Sequence, residues 1–181
     1  MNQNFIYHGN NLQFITSPGV FAQYALDMGS KVLLDSIELP EQGKVLDLGC
    51  GCGFIGLSIA KSNPKLFVTL VDSDIRAIRL TQENAIKNDI KNMEVILSDV
   101  DSDINSDNKF DLVVSNPPTH QGREVLIRFI QGSRNVLKNT GAVYFVVNRI
   151  ASTMKKMQEV FGNSEKIVSK QGYMVFKSYK Q

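Results

Sequence analysis

Short apolar runs alternate along this chain with longer stretches whose apolar residues recur every three to four positions, and that rhythm predicts alternating strands and helices. Residues 45–48, 67–71, 93–97, 111–115 and 142–147 are apolar enough to be covered on both faces, as strands of a parallel sheet are. Between them, residues 55–61 read as a helix stopped by Asn63-Pro64, and residues 74–88 as a helix opened by Ser73, with Ile75, Ile78 and Ala85 on one side. Val125, Leu126, Phe129, Ile130, Val136 and Leu137 repeat at helical spacing before a turn at Asn139-Thr140-Gly141, and Ser152 is placed to cap a last helix running to Phe161. Hairpins are expected at both ends. Gly9-Asn10-Asn11 turns between Phe5-Ile6-Tyr7 and residues 12–16, and Gln171-Gly172 turns between residues 167–170 and 173–178. The expected architecture is α/β: a doubly wound, mostly parallel seven-stranded sheet with a C-terminal antiparallel hairpin and a short N-terminal hairpin.

In such a sheet ligands sit beyond the carboxyl ends of the strands. Asp47, Asp72, Asp99 and Asn116 fall at the ends of successive predicted strands, which gathers four polar groups along one edge. The first strand runs into Gly49-Cys50-Gly51-Cys52-Gly53, whose alternate glycines allow a tight turn and close approach to a ligand. Residues 51–56 also spell a literal G-x-G-x-x-G, the pattern of dinucleotide-binding loops. Asp47 separates the two readings: a carboxylate beside the loop repels a pyrophosphate and suits a cation. S-adenosylmethionine carries a sulfonium and an ammonium and has no phosphate, so acid plus glycine loop points to that methyl donor. Asp72 serves either reading, because ribose hydroxyls are common to both ligands.

At 181 residues with 43% hydrophobic content, the chain suits one domain, residues 1–181, with an N-terminal hairpin and helical cap over 1–43 and the sheet over 44–181. No apolar stretch is long enough to span a membrane and the first residues lack the pattern of a secretory signal, so no membrane partner and a cytoplasmic location are expected. Cys50 and Cys52 lack the spacing of a zinc knuckle, and no metal is expected. The net charge of +2 is unevenly spread: residues 1–120 hold 9 basic against 15 acidic residues, residues 121–181 hold 11 against 3. A basic final third suits a polyanion approaching from one side, with Arg123, Arg128, Arg134, Arg149, Lys155 and Lys156 as candidate phosphate contacts; a solvated helix face is the alternative.

The loop from Asp47 to Gly53, Asp72, the pair Ser98-Asp99 and Ser115-Asn116-Pro117-Pro118 together resemble the class I S-adenosylmethionine-dependent methyltransferases. Pro18-Gly19-Val20-Phe21, Leu26-Asp27-Met28-Gly29-Ser30 and the run from Asn116 to Gly122 narrow the resemblance to the small-domain group that includes bacterial ribosomal RNA guanine-N2 methyltransferases. It covers residues 12–178. The resemblance implies a Rossmann-like catalytic sheet in which Gly49, Gly51 and Gly53 contact the donor's methionine and ribose portion, Asp72 the ribose hydroxyls, Asp99 the adenine amino group and Asp47 the ammonium. Phe21, Asp27 and Gly29 would belong to a segment closing over the cofactor; an ordinary helix and its cap is the other reading of them. The ribosomal enzymes carry a further, catalytically silent N-terminal copy of the domain that these residues do not match, and a homodimer is one way to replace it.

Asn116-Pro117-Pro118 suggests its own chemistry. An exocyclic amine on a planar base is a poor nucleophile, because its lone pair is delocalised into the ring. It must be held in line with the methyl carbon. The Asn116 side-chain oxygen and the Pro117 carbonyl can accept its two hydrogens, and the prolines keep the loop stiff. In this motif an aromatic residue usually follows the second proline for base stacking; here it is Thr119, so stacking falls to another ring such as Phe21 or Phe14. Thr119, His120 and Arg123 are candidate substrate contacts. The expected function is N-methylation of an exocyclic amine in RNA, guanine N2 of ribosomal RNA. Adenine N6 or a glutamine amide on the same fold, an NAD-dependent reductase and a non-catalytic RNA-binding module are the alternatives.

Overall fold

The computed structural model describes residues 2–17, 27–107, 109–148 and 152–181, with the backbone alone for His120. The chain runs β1 (Asn2–Tyr7), β2 (Asn10–Ile15), α1 (Met28–Leu34), β3 (Gly43–Leu48), α2 (Phe54–Ser62), β4 (Leu66–Asp72), α3 (Ile75–Lys87), β5 (Met93–Leu97) and β6 (Phe110–Ser115). A short 3-10 turn, Thr119–Gln121, leads into α4 (Arg123–Val136), β7 (Leu137–Asn148), α5 (Thr153–Phe161), β8 (Glu165–Lys170) and β9 (Tyr173–Tyr179). Seven strands form one sheet in the order β5-β4-β3-β6-β7-β9-β8. The first five are parallel, and β9 pairs antiparallel with both β7 and β8. After β5 the chain returns to the other side of β3, so the strand order reverses between β3 and β6. That switch point opens a crevice at their carboxyl ends.

Alternation along each strand divides the core. Val45, Val68, Leu112 and Val114 face a layer built from α1, α2, α3 and the N-terminal hairpin. Leu46, Leu48, Val113, Val143 and Phe145 face α4 and α5. A leucine or valine fully buried in this way contributes about 1.5–3 kcal/mol, which explains why the apolar runs are continuous rather than alternating.

The differences from the sequence reading are local. The N-terminal hairpin turns at His8-Gly9, with φ of 46° and 77°, not at Gly9-Asn10-Asn11. Two residues of positive φ match the right-handed twist of paired strands, and that geometry sets the register. The cap of α3 is Asp74, whose side chain accepts from Arg76 N at 2.9 Å, rather than Ser73. Ile75 is 47% exposed at the first helical position, while Ile78 and Ala85 are buried as expected. Ser152 makes no capping bond through its side chain. The turn expected at residues 139–141 is absorbed into β7, which begins at Leu137 and shifts register against β6 between Phe110 and Leu112.

Two asparagines lock the hairpin to the sheet. Asn84 on α3 and Asn88 at its C-cap, one turn apart, each exchange a pair of hydrogen bonds with the backbone of β2: Asn84 with Ile15 and Asn88 with Gln13, at 2.7–3.0 Å. Their amides replace a neighbouring strand. Asn84 also donates to Cys52 O at 2.9 Å, which ties the hairpin to the glycine loop. No helix among the described residues is long and apolar enough to cross a membrane.

Candidate active site

The glycine loop is wired from within. Gly49 N and Cys50 N both donate to Val71 O, at 2.9 and 2.8 Å, Gly51 N donates to Asp72 Oδ2 at 2.9 Å, and Gly53 N donates to Cys50 O at 2.9 Å. A dinucleotide loop turns such N–H groups toward a pyrophosphate. Here they are committed to protein acceptors. Gly49 and Gly53 have φ of 78° and 82°, and a Cβ would lie 2.9 Å from Phe129 at the first and 2.8 Å from Leu57 at the second. Thr81 Oγ1 supports the loop from α3 by donating to Gly51 O at 2.9 Å. Cys50 and Cys52 are free and buried, and desolvation pushes both thiols up, Cys52 to about 11. They are inert packing groups.

Asp47 is not at the loop's mouth. It lies inside β3, 1% exposed, on the same face of the strand as Val45 and beneath the start of α2. Its Oδ2 accepts from Gly56 N at 2.8 Å, and its Oδ1 has no partner. Burial pushes its pKa up to about 7; the Gly56 N–H opposes the rise and the Asp72 carboxylate adds to it. A buried carboxylate with an unmet oxygen is costly unless a donor or cation completes it. Asp72, at the last position of β4, accepts from Gly51 N with one oxygen and from Asp74 N with the other, each at 2.9 Å, so it holds the loop while keeping lone pairs for a further donor. Asp99 follows β5 and is exposed, paired with Arg128 at 2.6 Å.

Asn116 stands directly after β6, across the switch point from Leu48. Ser115 Oγ bridges the two strand ends by donating to Leu48 O at 2.6 Å. The loop that follows is stiff for visible reasons: Thr119 N donates to Pro117 O at 2.8 Å across Pro118, whose φ of −73° and ψ of 71° make an inverse γ-turn. One lone pair of the Pro117 carbonyl is thereby used and one remains. The Asn116 amide nitrogen donates to Asp27 Oδ2 at 2.5 Å and to Ser30 Oγ at 3.0 Å, while Asp27 caps α1 by accepting from Ser30 N at 2.8 Å. Tyr173 lies beside Asp27; burial first, and then this carboxylate, raise the phenol's pKa. Its ring lies where a Cβ on Gly29 would come within 2.7 Å.

The structure therefore brings Asp47, Gly49, Gly51, Gly53 and Asp72 into one loop system, and Asp27, Gly29, Asn116, Pro117 and Pro118 into a second beside it. Asp27 and Gly29 prove to be the cap and the contact surface of α1. Ser30 and Tyr173 were missed by the sequence reading. The spacing Asp27-x-x-Ser30 is a cap signature that could have found the first, whereas no local pattern marks Tyr173. Thr119 is half-buried in the 3-10 turn, and Arg123 is exposed at the start of α4. Arg123 and Lys155 lie close enough, with Lys156, to help hold the Glu159 carboxyl low; the Lys156 hydrogen bond is the largest cause. Phe14 is fully buried against Phe54, 5.1 Å between ring centroids, and cannot stack on a base. Phe21, Arg149 and the His120 side chain lie outside the described residues. Among the described residues no group of three or more His, Cys, Asp or Glu is placed to hold a metal.

A doubly wound sheet with β9 inserted antiparallel beside β7, a donor-poor glycine loop and an Asn-Pro-Pro turn at the switch point define the methyltransferase class. The family model of the methyltransferase small domain matches residues 11–177, and the chain belongs to that family. It is 33% identical to the Bacillus subtilis protein YbxB over 98% of this chain and 90% of that protein. It is also 33% identical to ribosomal RNA small subunit methyltransferase C of Citrobacter koseri, over 95% of this chain and 51% of that one. The T. thermophilus 16S rRNA N2 methyltransferase RsmC, solved in complex with AdoMet and guanosine, superposes with a TM-score of 0.91 at 26% identity, covering 100% of this chain and 50% of that chain. The chain thus spans about half the length of the ribosomal RNA methyltransferases it matches.

Proposed function

We propose that this protein is an S-adenosylmethionine-dependent N-methyltransferase acting on an exocyclic amine of RNA, guanine N2 of ribosomal RNA. The observation that carries the reading is the pairing, across one switch point, of a loop flanked by two carboxylates with an Asn-Pro-Pro turn. Membership of the methyltransferase small domain family supports the donor, and the likeness to a 16S rRNA N2 methyltransferase over the whole chain supports the substrate.

The residues fit the donor. The unpartnered Asp47 Oδ1 suits a nearby ammonium, directly or through water, and Asp72 retains acceptor capacity for ribose hydroxyls. Asp99 would serve the adenine amino group by releasing or sharing Arg128. The bound donor supplies an electrophilic methyl group. The protein's part is orientation: Asn116 Oδ1 accepts one hydrogen of the substrate amine and the free lone pair of Pro117 O the other, which fixes the nitrogen and directs its lone pair along one line. Arg123 and Lys155, near the same end of the sheet, would take phosphates flanking the target nucleotide.

The test is incubation of the protein with labelled donor and ribosomal RNA, free and in subunits, followed by nucleoside analysis. Label in N2-methylguanosine is expected. Label in N6-methyladenosine would move the substrate, label confined to peptides would end the RNA assignment, and binding of NAD without S-adenosylhomocysteine would end the donor assignment.

A further inference from the structure

We propose that Asp27 is a positioning residue for methyl transfer, acting through Asn116: its carboxylate, with Ser30, fixes the Asn116 amide so that Oδ1 is the atom presented to the substrate amine. The inference rests on the reading of Asn116 as acceptor for that amine. It gives Asp27 a role distinct from the cofactor contact that the family resemblance implied.

An asparagine amide is nearly symmetric in shape and opposite in chemistry at its two ends. Presented nitrogen outward, it would oppose the N–H groups of an amine with N–H groups of its own. The surroundings of Asn116 decide which end faces out. Asp27 Oδ2 lies 2.5 Å from Asn116 Nδ2, and an ionised carboxylate only accepts. Ser30 Oγ donates to the same Asp27 oxygen at 3.2 Å, so toward Asn116, 3.0 Å away, it acts as an acceptor. Turning the amide over would set Oδ1 against two oxygens. The nitrogen is therefore held inward, and among the described residues nothing donates to Oδ1.

Asp27 is itself fixed from two further directions. Ser30 N pins it at 2.8 Å as the cap of α1, and the ring of Tyr173, the first residue of β9, stands beside it, where β9 pairs with Asn148 at the end of β7. Gly29 permits that approach, since a Cβ there would lie 2.7 Å from Tyr173 Cε1. Three elements separated in sequence thus meet on one carboxylate, 89 residues from the asparagine it orients. Preorganisation of this kind raises turnover without adding a contact to the donor.

The test removes the carboxylate and reads two quantities. Asn116→Asp sets two carboxylates against each other and is expected to lower methylation at least a hundredfold. Asp27→Ala should lower kcat by tenfold or more while the affinity for S-adenosylhomocysteine, read by calorimetry, moves less than twofold. An unchanged kcat in Asp27→Ala, or a loss confined to S-adenosylhomocysteine affinity, would overturn the proposal. A second readout needs no activity: the Asn116 side-chain NH2 resonances, assigned by their disappearance in Asn116→Ala, should be protected from exchange in the parent and lose that protection in Asp27→Ala. If the parent methylates no RNA while this protection behaves as stated, the functional reading fails and the Asp27–Asn116 coupling stands; unprotected resonances in the parent would overturn the coupling itself.

Discussion

Two carboxylates of the candidate site stand in opposite circumstances. Asp47, under α2, is 1% exposed, receives one hydrogen bond and leaves Oδ1 unmet. Asp27, at the start of α1, is half-buried, and its Oδ2 collects Ser30 N, Ser30 Oγ and Asn116 Nδ2, with the Tyr173 phenol beside it. A saturated carboxylate is a fastener. An undersaturated one carries the cost of its buried, unmet oxygen and suits a donor or a cation. On the proposed reading, the acceptor side of the site is assembled in advance, while the methyl-donor side would be completed by its ligand.

The contrast can be broken at several strengths. The largest effect is expected on the saturated side: Asn116→Ala should slow methylation by about 10²–10³-fold with little change in thermal stability, because an orienting acceptor is lost and no core is opened. On the loop side, Gly49→Ala forces a left-handed residue and drives a methyl into Phe129, and it should cost on the order of 2–3 kcal/mol, a fall of about 5–10 °C in Tm by calorimetry.

Asp47→Asn should act in the other direction. With a folded pKa of about 7 against an ordinary 3.8, the native state holds a proton that the unfolded chain has released. Stability therefore falls as pH rises from 3.8 to 7 and is level above, a loss on the order of 4 kcal/mol for a group this buried. The amide removes that loss and leaves one N–H unpaired, so Tm should rise by about 4–8 °C at pH 8 and change little at pH 4. The same proton governs binding. A cationic donor favours ionised Asp47, so its affinity should increase about tenfold between pH 6 and pH 8 in the parent and stay flat in Asp47→Asn, read by calorimetry. The smallest effect is expected at Arg128→Ala: with 53% and 61% of the two side chains exposed, the pair with Asp99 should contribute under about 1 kcal/mol, a Tm change under about 4 °C.

Much of the fold and part of the site were legible in the chain. Continuous apolar runs mark the five parallel strands, and in four of them the reason is cover on both faces, which leaves no solvent side to encode; β5, at the edge of the sheet, is only half-buried, with Leu97 exposed, because no further strand and little helix lies beyond it. The turn Gln171-Gly172 placed the C-terminal hairpin, and the stiffness of Asn116-Pro117-Pro118 followed from proline alone. The N-terminal turn was misplaced by one residue, since His8 gives no hint that it will adopt a positive φ. Spacing puts Asp47 two residues before the first glycine, which reads as an acid at the mouth of the loop. Only the docking of α2 shows that it is covered. Phe14 was available in the sequence as a stacking ring and is instead consumed by the hairpin's contact with Phe54.

By itself the sequence determined what is local: the period of each element, the backbone freedom of Gly49 and Gly53, the rigidity of the proline pair, and which residue types stand near the strand ends. The tertiary structure alone decided how those groups are partnered. Hydrogen bonding and desolvation depend on distances between segments far apart in the chain, so the same residue, aspartate, became a saturated fastener at position 27 and an unmet, partly protonated acid at position 47.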